Sequence, residues 1–437
     1  MMRKRIKILA IETSCDETAA SVIEEMDGQP VIISNIVSSQ VDLHAKTGGV
    51  VPEVASRAHM EAINPVIALA LLNAQQKIYH LNDKSNYNSE NLDSRSQTPV
   101  WNDMEDIDYQ KSISLLDDIT HIAVTAGPGL IGSLLVGFNA AKAMAYARDL
   151  PIVPVNHIEG HIYSVFLKLQ NNRINGKMIK WQNDKMFPLL ALTVSGGHTS
   201  LNVMSDHGIY ETIGDTLDDA VGEAYDKVGK LLGLGYPGGP AVSKLAKKFR
   251  ENLKSNPNGK ILNDQINSKI VKCQNSKMLS SNIVFPRPMI TDGTFNFSFS
   301  GLKTAVLTAV KKNMTTYHVD NPEDIPGNVK EGIAYAFEEA VADVLVAKTL
   351  KAIDKFSPKT VIFAGGVSAN DYLRLKLSEA VDSQSSDINY LVPTKELTGD
   401  NAAMIGLAAY YNIKNGKAKA WSQMKIDANW ELEQSIV

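Results

Sequence analysis

The sequence predicts an α/β fold made of two similar lobes around a central cleft. Short apolar runs rich in β-branched residues alternate with longer helical stretches, which is typical of an α/β architecture. A strand, turn and strand pattern occurs twice, and in each half a later apolar strand leads into a glycine-rich turn and a helix. The chain has 437 residues, enough for two or three domains or for one large duplicated domain.

The repeat becomes visible when residues 9–22 (LAIETSCDETAASV) are laid over residues 190–203 (LALTVSGGHTSLNV), which gives five identities in fourteen positions. The later motif of each half is HIAVTAGPGL at 121–130 and TVIFAGGVSAN at 360–370. Five identities alone are weak evidence. Because two motifs occur in the same order in both halves, we predict two lobes that face each other.

Strands are predicted where short apolar runs lie between turn residues, at residues 6–11, 19–24, 31–38, 121–125, 152–155, 189–194, 200–204 and 360–364. Helices are predicted for the longer stretches, at residues 54–74, 134–147, 158–168, 217–232, 239–249, 301–312, 329–355 and 402–415. The charge-free span 122–141 is long enough to suggest a membrane helix. Gly127, Pro128, Gly129 and Gly132 interrupt it early, so a buried strand, a tight loop and a buried helix are predicted there instead.

These elements predict two domains. The first lobe is expected at residues 6–155, completed by a C-terminal helix at 400–420, and the second lobe with a linker helix at 156–399. Three polar stretches without a sustained period, residues 75–111, 170–185 and 251–281, are interpreted as mobile surface insertions that carry no chemistry.

The charge balance and the cysteine content restrict the function. The chain has 44 Lys and Arg against 48 Asp and Glu, a net charge of −4, which argues against a protein that grips nucleic acid through a global basic field. A local basic patch stays open. Two cysteines exclude a disulfide framework and fit a reducing compartment. The N-terminal residues run straight into the first strand without a signal or transit peptide, so a cytoplasmic protein without a membrane anchor is predicted.

Two turns at equivalent places in the repeat could face a phosphate. The turn 195–199 (SGGHT) has the glycines that let a backbone approach a ligand closely, although Gly-Gly is also an ordinary hairpin turn. The turn 13–18 (TSCDET) places Asp16 and Glu17 side by side. Neighbouring acids in a turn are often merely solvated, but at this position either is a candidate general base.

A histidine pair suggests a metal site. His157 and His161 are four residues apart, which places them on one helical face and within reach of one ion. Glu159 is mis-spaced for the H-E-x-x-H arrangement of zinc peptidases. Asp400 could supply a third ligand, but an aspartate just before a helix is also a good N-cap, and the histidines could be ordinary surface residues.

Two further glycine-rich turns could shape a nucleotide pocket. The motif GGVSAN at 365–370 follows a strand and opens a helix, so a purine or ribose could lie against its backbone. The stiff turn GYPGGP at 235–240 suits a pocket wall, and ordinary loop punctuation explains it equally well. Asp226 and Lys227 could hold ribose hydroxyls or simply form a surface pair.

Taken together, the motifs resemble the TsaD family of tRNA threonylcarbamoyltransferases, formerly described as glycoproteases or O-sialoglycoprotein endopeptidases. The resemblance covers nearly the whole chain apart from the three insertions, which depart from the compact length of the family. It is carried by IETSCDET (11–18), GGVVPEVASRAH (48–59), TAGPGLIGSLLVG (125–137), NHIEGH (156–161), VSGGHT (194–199), DDAVGEAYDKVGKLLGLGYPGGP (218–240), FSFSGLKTAV (297–306), GGVSAN (365–370) and TGDNAAMIG (398–406).

The resemblance implies a duplicated actin/hexokinase/Hsp70-like fold and assigns roles to residues. His157, His161 and Asp400 match the ligands of one divalent metal ion per subunit, with iron the usual assignment and zinc an alternative. Asp16 and Glu17 match the acidic pair implicated in catalysis. The positions that match substrate-binding residues are Thr193, Val194, Ser195, Gly196, Gly197, Asp226, Gly239 and Asn370.

The resemblance also implies a reaction and partners. The threonylcarbamoyl group would move from threonylcarbamoyl-AMP to N6 of the adenosine adjoining the anticodon, in tRNAs that read codons beginning with A, with release of AMP. TsaC would supply the donor, and TsaB and TsaE would work alongside the chain. Whether the chain pairs with itself or with a shortened paralogue stays open.

Three other functions compete with this interpretation. A metallopeptidase, the older label of the family, needs a water-activating acid beside the metal. An ATP-dependent kinase is a second alternative because one superfold serves many functions. A non-catalytic scaffold that uses the cleft only for assembly is the third.

Overall fold

The computed structural model describes residues 5–82, 107–169, 173–174, 177–178, 186–255 and 283–434. Most of each predicted insertion lies outside these residues. At their described margins, two of the three stretches begin as helix, because the helices that precede them continue to Asn82 and Ser255. The expectation of irregular chain is therefore wrong at residues 75–82 and 251–255. A pair of two-residue strands, Arg173–Ile174 and Lys177–Met178, lies in the stretch 170–185.

The first sheet contains five strands in the order β3-β2-β1-β4-β5. β1 pairs antiparallel with β2, and β2 with β3, whereas β4 and β5 continue parallel to β1. The strands are almost continuous apolar runs in the middle of the sheet because both of its faces are covered. Their bounds are β1 (Lys7–Glu12), β2 (Glu17–Met26), β3 (Gln29–Ser39), β4 (His121–Gly127) and β5 (Ile152–Asn156).

The second sheet repeats this order as β8-β7-β6-β9-β10. Its first three strands are antiparallel, and β9 and β10 continue parallel to β6. The same order and the same directions in both halves confirm the duplicated actin/hexokinase/Hsp70-like fold. The bounds are β6 (Leu189–Val194), β7 (Thr199–Asp206), β8 (Ile209–Asp215), β9 (Thr360–Ala364) and β10 (Asn389–Leu391).

Eleven α-helices of five residues or more are found in the described part of the chain. Their bounds are α1 (Val41–Ala45), α2 (Pro52–Asn82), α3 (Tyr109–Ser114), α4 (Ile131–Arg148), α5 (His157–Leu169), α6 (Val221–Leu231), α7 (Gly238–Ser255), α8 (Ser300–Tyr317), α9 (Gly327–Phe356), α10 (Asp371–Gln384) and α11 (Ala402–Lys414).

Alternate residues of the central strands face different helical layers, as the period of a strand requires. Ile8 of β1 and Leu189 of β6 belong to one buried cluster with residues of α5 and α11, so these two helices pack between the sheets. The neighbouring residue Leu9 faces α2 and α4 on the outer side, and Leu190 faces the helices of the second half. The layer of α5 and α11 thus joins the two lobes.

Five of the labelled elements were not predicted from the sequence, namely β8, β10, α1, α3 and α10. The residues of β8 are mostly exposed or half-buried, so their apolar content is low. The helix expected at 217–232 begins later, at Val221, because Asp218 is used elsewhere: its Oδ1 accepts the backbone N–H groups of Phe299 and Ser300 at the start of α8. This is capping of one helix by a residue distant in sequence.

The chain after α11 returns to the first sheet. Ile152 of β5 exchanges two backbone hydrogen bonds with Lys419, at 2.9 and 2.8 Å. Asp427 donates its backbone N–H to Ala126, and a Cβ at Gly127 would lie 1.7 Å from the carbonyl oxygen of Asp427, so only glycine fits there. The segment 419–427, here called the C-terminal strip, therefore packs tightly against the end of β4.

Among the described residues, no helix has the length and apolar character that crossing a membrane requires.

Candidate active site

Two histidines begin α5, the helix that follows β5 without an intervening loop. Asn156, the last residue of β5, caps the helix because its Oδ1 accepts the N–H of Ile158 at 2.9 Å. His157 and His161 lie one turn apart, their ring centroids separated by 4.6 Å, and both are buried. The pair is therefore part of the interior, and the alternative of two surface histidines is wrong.

Asp400 lies beside both imidazoles. Its Oδ1 is 3.5 Å from Nε2 of His157 and 3.2 Å from Nε2 of His161. The alternative role of Asp400 as helix cap is taken by Asn401, whose Oδ1 accepts the N–H of Met404 at 3.1 Å. The carboxylate of Asp400 is therefore left to face the histidines.

The donor set fits a metal ion. Ligand atoms about 2.0–2.2 Å from a tetrahedral ion lie about 3.4 Å from one another, close to the two distances at Asp400. The contact of His161 with Asp400 lacks hydrogen-bond geometry, and both ring nitrogens of His161 are buried without a hydrogen-bond partner among the described residues. Buried polar atoms are rarely left unpaired, so a ligand at Nε2 would satisfy one of them.

The charges of His157, Asp400 and Glu12 shift one another's protonation equilibria. Burial opposes a charged imidazole at His157, but the carboxylates of Asp400 and Glu12 outweigh it and raise the pKa of His157 to about 9. Burial likewise opposes the charged form of Asp400, yet the neighbouring His157 and His161 hold the pKa of its carboxyl well below the usual range. Without a metal, the site therefore exists as an ion pair between imidazolium and carboxylate.

Glu12 is a member of the site that the sequence interpretation missed. Its Oε2 lies 3.2 Å from Nδ1 of His157, and its side chain is completely buried at the end of β1. The hydroxyl of Thr125 donates to the same oxygen. The available signal was an acidic residue that closes an otherwise apolar strand, KILAIE, since buried carboxylates need partners.

The candidate catalytic acids lie next to the metal ligands. One carboxylate oxygen from each of Asp16, Glu17 and Asp400 falls within 4.8 Å of the others. Burial, together with the charges of Asp16 and Asp400, raises the pKa of Glu17 well above its usual range. Ser39 donates its hydroxyl to Glu17 at 3.2 Å. The interpretation of these two acids as merely solvated therefore does not hold for Glu17.

His59 of α2 holds the loop that carries these acids. Its Nδ1 is 2.7 Å from the hydroxyl of Thr18, and its Nε2 is 2.9 Å from the carbonyl oxygen of Cys15. Because the imidazole is completely buried, its pKa is lowered and the ring is neutral near pH 7. A neutral ring has one donor and one acceptor nitrogen, which matches one hydroxyl and one carbonyl.

The candidate phosphate turn connects β6 and β7. Ser195 donates its N–H to the carbonyl oxygen of His198 at 2.8 Å. His198 in turn donates its N–H to the hydroxyl oxygen of Ser195 at 3.2 Å. The turn is thus a hairpin, as one interpretation had it. The space beside Gly196 and Gly197 is open, since a Cβ built on either would meet nothing within 4 Å. A ligand can therefore approach the backbone there.

The two strand residues before this turn are Thr193 and Val194. Both are completely buried, and the hydroxyl of Thr193 has no hydrogen-bond partner among the described residues. His198, at the far side of the turn, is influenced by the metal ligands. Burial and the positive charges of His157 and His161 lower its pKa to about 4, so it is neutral near pH 7.

Asp226 of α6 organises the stiff turn that begins α7. Its Oδ1 accepts the N–H groups of Gly238 at 2.8 Å and Gly239 at 3.3 Å. Burial raises the pKa of Asp226, and the negative charge of Asp16 adds to the shift. Lys227 forms ion pairs with Asp219 and Glu223 instead, as its alternative interpretation expected.

Asn370 is tied into an internal network. Its Oδ1 caps α10, and its Nδ2 donates to Glu338 at 2.7 Å and to Ser243 at 2.9 Å. Glu338 is completely buried and also accepts from Arg250 and from the hydroxyl of Tyr225. The side chain of Asn370 is thus engaged within the protein, so a contact with substrate falls to its backbone unless this network opens.

Glu159 has no free carboxylate oxygen. It is buried, its Oε1 accepts from the hydroxyl of Tyr210 at 3.0 Å, and its Oε2 accepts from Asn412 at 2.9 Å. A metallopeptidase needs an acid beside the ion to activate water. Glu159 is held away from that task by both bonds, which weakens the peptidase alternative.

The chain is similar to known proteins in sequence and in fold. A sequence model of a family described as "TsaD: tRNA N6-adenosine threonylcarbamoyltransferase" matches residues 31–83 and 110–407. The chain is 38% identical over 427 residues to the tRNA N6-adenosine threonylcarbamoyltransferase of Pelobacter propionicus, covering 98% of both chains. It is 40% identical over 415 residues to that of Halalkalibacterium halodurans, covering 95% of this chain and 93% of the relative. HypF of T. kodakarensis, at 12% identity and a TM-score of 0.44, covers 95% of this chain and 50% of its own.

Proposed function

The chain belongs to the TsaD family of tRNA N6-adenosine threonylcarbamoyltransferases, and on this premise we propose that it transfers the threonylcarbamoyl group from threonylcarbamoyl-AMP to N6 of the adenosine adjoining the anticodon, releasing AMP. The proposed substrates are tRNAs that read codons beginning with A. The observation that supports this most is the convergence of His157, His161 and Asp400 beside Asp16 and Glu17.

The acidic pair suits the difficult step. An exocyclic amine of adenine is a poor nucleophile because its lone pair is delocalised into the ring, so a base has to take its proton as the new bond forms. Asp16 or Glu17 would accept that proton. The raised pKa of Glu17 makes its carboxylate more basic than an exposed glutamate, which favours proton transfer.

His157, His161 and Asp400 would hold the metal ion, iron or alternatively zinc, since two imidazoles and a carboxylate suit either. When bound, such an ion supplies Lewis acidity that polarises a carbonyl or orients an adenylate. Asp400 also lies next to the acidic pair. The site that would hold the acyl group is therefore adjacent to the carboxylates that would accept the proton.

The second lobe would hold the donor. Backbone N–H groups of Gly196 and Gly197 would stabilise the phosphate as it departs, with Thr193, Val194 and Ser195 forming the wall behind them. Asp226 uses Oδ1 to hold Gly239 and would offer Oδ2 to a ribose hydroxyl. These eight substrate-binding positions are completed by the backbone of Asn370.

The net charge of −4 supports a shared tRNA-binding surface, in which basic partner proteins contribute to binding. We assign these roles to TsaB- and TsaE-type proteins, with TsaC supplying the donor in the cytoplasm. The target base lies in a tRNA loop, where single-stranded nucleotides can be turned out into a pocket. Strong dependence of tRNA affinity on salt is expected, and salt-independent binding by the isolated chain would contradict this electrostatic account.

Reconstitution tests the function directly. The chain is mixed with TsaB, TsaC, TsaE, threonine, bicarbonate, ATP and unmodified tRNA, and the nucleosides are analysed by mass spectrometry. Threonylcarbamoyladenosine is expected with the wild type, and a loss of at least about a hundredfold in rate with Asp16→Ala or Glu17→Ala, the usual range for removal of a general base. Full modification by both variants would favour the scaffold alternative.

Two further assays separate the remaining alternatives. Metal-dependent cleavage of a glycoprotein that is lost in His157→Ala would favour the peptidase. Transfer of labelled γ-phosphate to a small acceptor would favour the kinase.

A further inference from the structure

Glu12 is a buried charge that the proposed chemistry does not use. It is the last residue of β1, and no part of its side chain reaches solvent. Burying a carboxylate is unfavourable unless it is paired and hydrogen-bonded. The position therefore needs an explanation in terms of what the carboxylate contacts.

Both oxygens of Glu12 are engaged. Oε1 accepts the backbone N–H of Ser14, and Oε2 accepts the hydroxyl of Thr125. These two bonds come from the loop after β1 and from the neighbouring strand β4, so the carboxylate is fixed in place before any ligand is considered. Its Oε2 then lies 3.2 Å from Nδ1 of His157.

We infer that Glu12 is a positioning residue for His157: it accepts the Nδ1–H of the imidazole and so fixes the tautomer and ring orientation in which the Nε2 lone pair faces the metal. This rests on the proposed metal site of His157, His161 and Asp400. Imidazole ligands commonly donate their second N–H to a carboxylate, which raises their basicity as well as orienting them.

The two histidines differ in this respect. Nδ1 of His161 is buried and has no hydrogen-bond partner among the described residues. Glu12 therefore orients one ligand of the pair, and the helical geometry of α5 carries the other. Loss of Glu12 should accordingly weaken metal binding through His157 without removing a ligand.

Ser14 is the alternative partner, because its hydroxyl oxygen lies 3.1 Å from the same Nδ1. A carboxylate is the stronger acceptor, since hydrogen bonds to an ionised group are roughly twice as strong as neutral ones. The two distances do not separate the candidates. Variants of each residue do.

The experiment measures the affinity of the purified chain for Zn²⁺ and Co²⁺ by chelator competition, together with the visible absorption of bound Co²⁺, which reports ligand geometry. Glu12→Gln should raise the dissociation constant about 10- to 100-fold and alter the Co²⁺ spectrum. Ser14→Ala should stay within about twofold of wild type. Glu159→Gln is the matched control and should also stay within about twofold, because the Glu159 carboxylate is buried on α5 and is bonded to Tyr210 and Asn412.

Thr125→Val keeps the inference testable even when Glu12→Gln does not fold, because it removes one bond to Glu12 and touches neither histidine. It should weaken metal binding by a smaller factor, about threefold to tenfold. Unchanged metal affinity in a folded Glu12→Gln, or a larger effect of Ser14→Ala, would overturn the role of Glu12. A wild type that binds no metal, or a His157→Ala variant that binds as tightly, would instead refute the metal site itself.

Discussion

Oδ1 of Asp400 lies 3.2 Å from Nε2 of His161, although the two residues are far apart in the sequence. The contact follows from the packing of α11 against α5 in the layer between the sheets. His161 lies on α5, and Asp400 lies in the loop just before α11. The layer that joins the lobes therefore also assembles the candidate metal site.

Replacing Asp400 by asparagine should weaken metal binding by more than about a hundredfold. Loss of a charged ligand should exceed the 10- to 100-fold effect typical of residues behind the ligands. Chelator competition measures it. Asp371→Asn is the control because Asp371 is exposed and forms its ion pair with Lys395 at the surface, and an equal loss in that variant would refute the assignment.

The metal-free protein should lose stability as the pH rises. The folded pKa of His157 is about 9 against the usual 6.5, so the stabilisation by the charged imidazole is complete below pH 6.5 and is lost as the pH rises through 9. The expected loss is about 3 kcal/mol. Urea unfolding of wild type and His157→Gln at several pH values tests this. Parallel curves for the two proteins would contradict it.

Alanine at Gly222 should damage the phosphate turn. A Cβ there would lie 2.5 Å from the carbonyl oxygen of Ser195 and 2.7 Å from Cα of Gly196, so either the turn or α6 must move. We expect about 1–3 kcal/mol of destabilisation and weaker binding of AMP, measured by urea unfolding and calorimetry. Gly301→Ala, where the added Cβ meets nothing within 4 Å, should leave AMP binding unchanged.

Removal of the Glu338 carboxylate should destabilise the second half of the chain. Glu338→Ala removes a buried acceptor shared by Arg250, Asn370 and Tyr225, and the guanidinium of Arg250 keeps its 3.4 Å ion pair with Glu339. Breaking a buried ion pair of this kind typically reduces the free energy of unfolding by about 3–5 kcal/mol. The exposed pair of Lys395 and Asp371 provides the comparison. Lys395→Ala should change that free energy by about 1 kcal/mol or less, and similar values for both variants would show that burial of Glu338 is unimportant.

The sequence predicted the elements whose patterns were strong. The buried strands around Leu9 and Leu190 and the long helices were predicted because apolar runs and periods dominate them. β8, α10 and β10 were missed because they lie nearer the surface, where the apolar pattern is diluted. α1 and α3 were missed because five or six residues are too few to show a helical period. Asp218 could not be predicted to cap α8, because a cap from a distant residue depends on tertiary contacts.

The candidate site divides in the same way. The spacing of His157 and His161 indicated one helical face, and their burial beside Asp400 followed only from the structure. Asn370 was interpreted through its glycine-rich motif, whereas its side chain is engaged with Glu338. Glu12 was missed because nothing in a strand sequence says which distant ring will meet its last residue.

The C-terminal strip covers an edge strand of the first sheet. β5 is an edge strand of its sheet, and the backbone of Lys419 pairs with its outer side. An uncovered edge strand presents unpaired backbone N–H and C=O groups, with which strands of other molecules can pair. Removal of the segment that carries Lys419 would uncover this edge next to the residues that begin α5, so self-association and damage to the candidate active site would have the same cause.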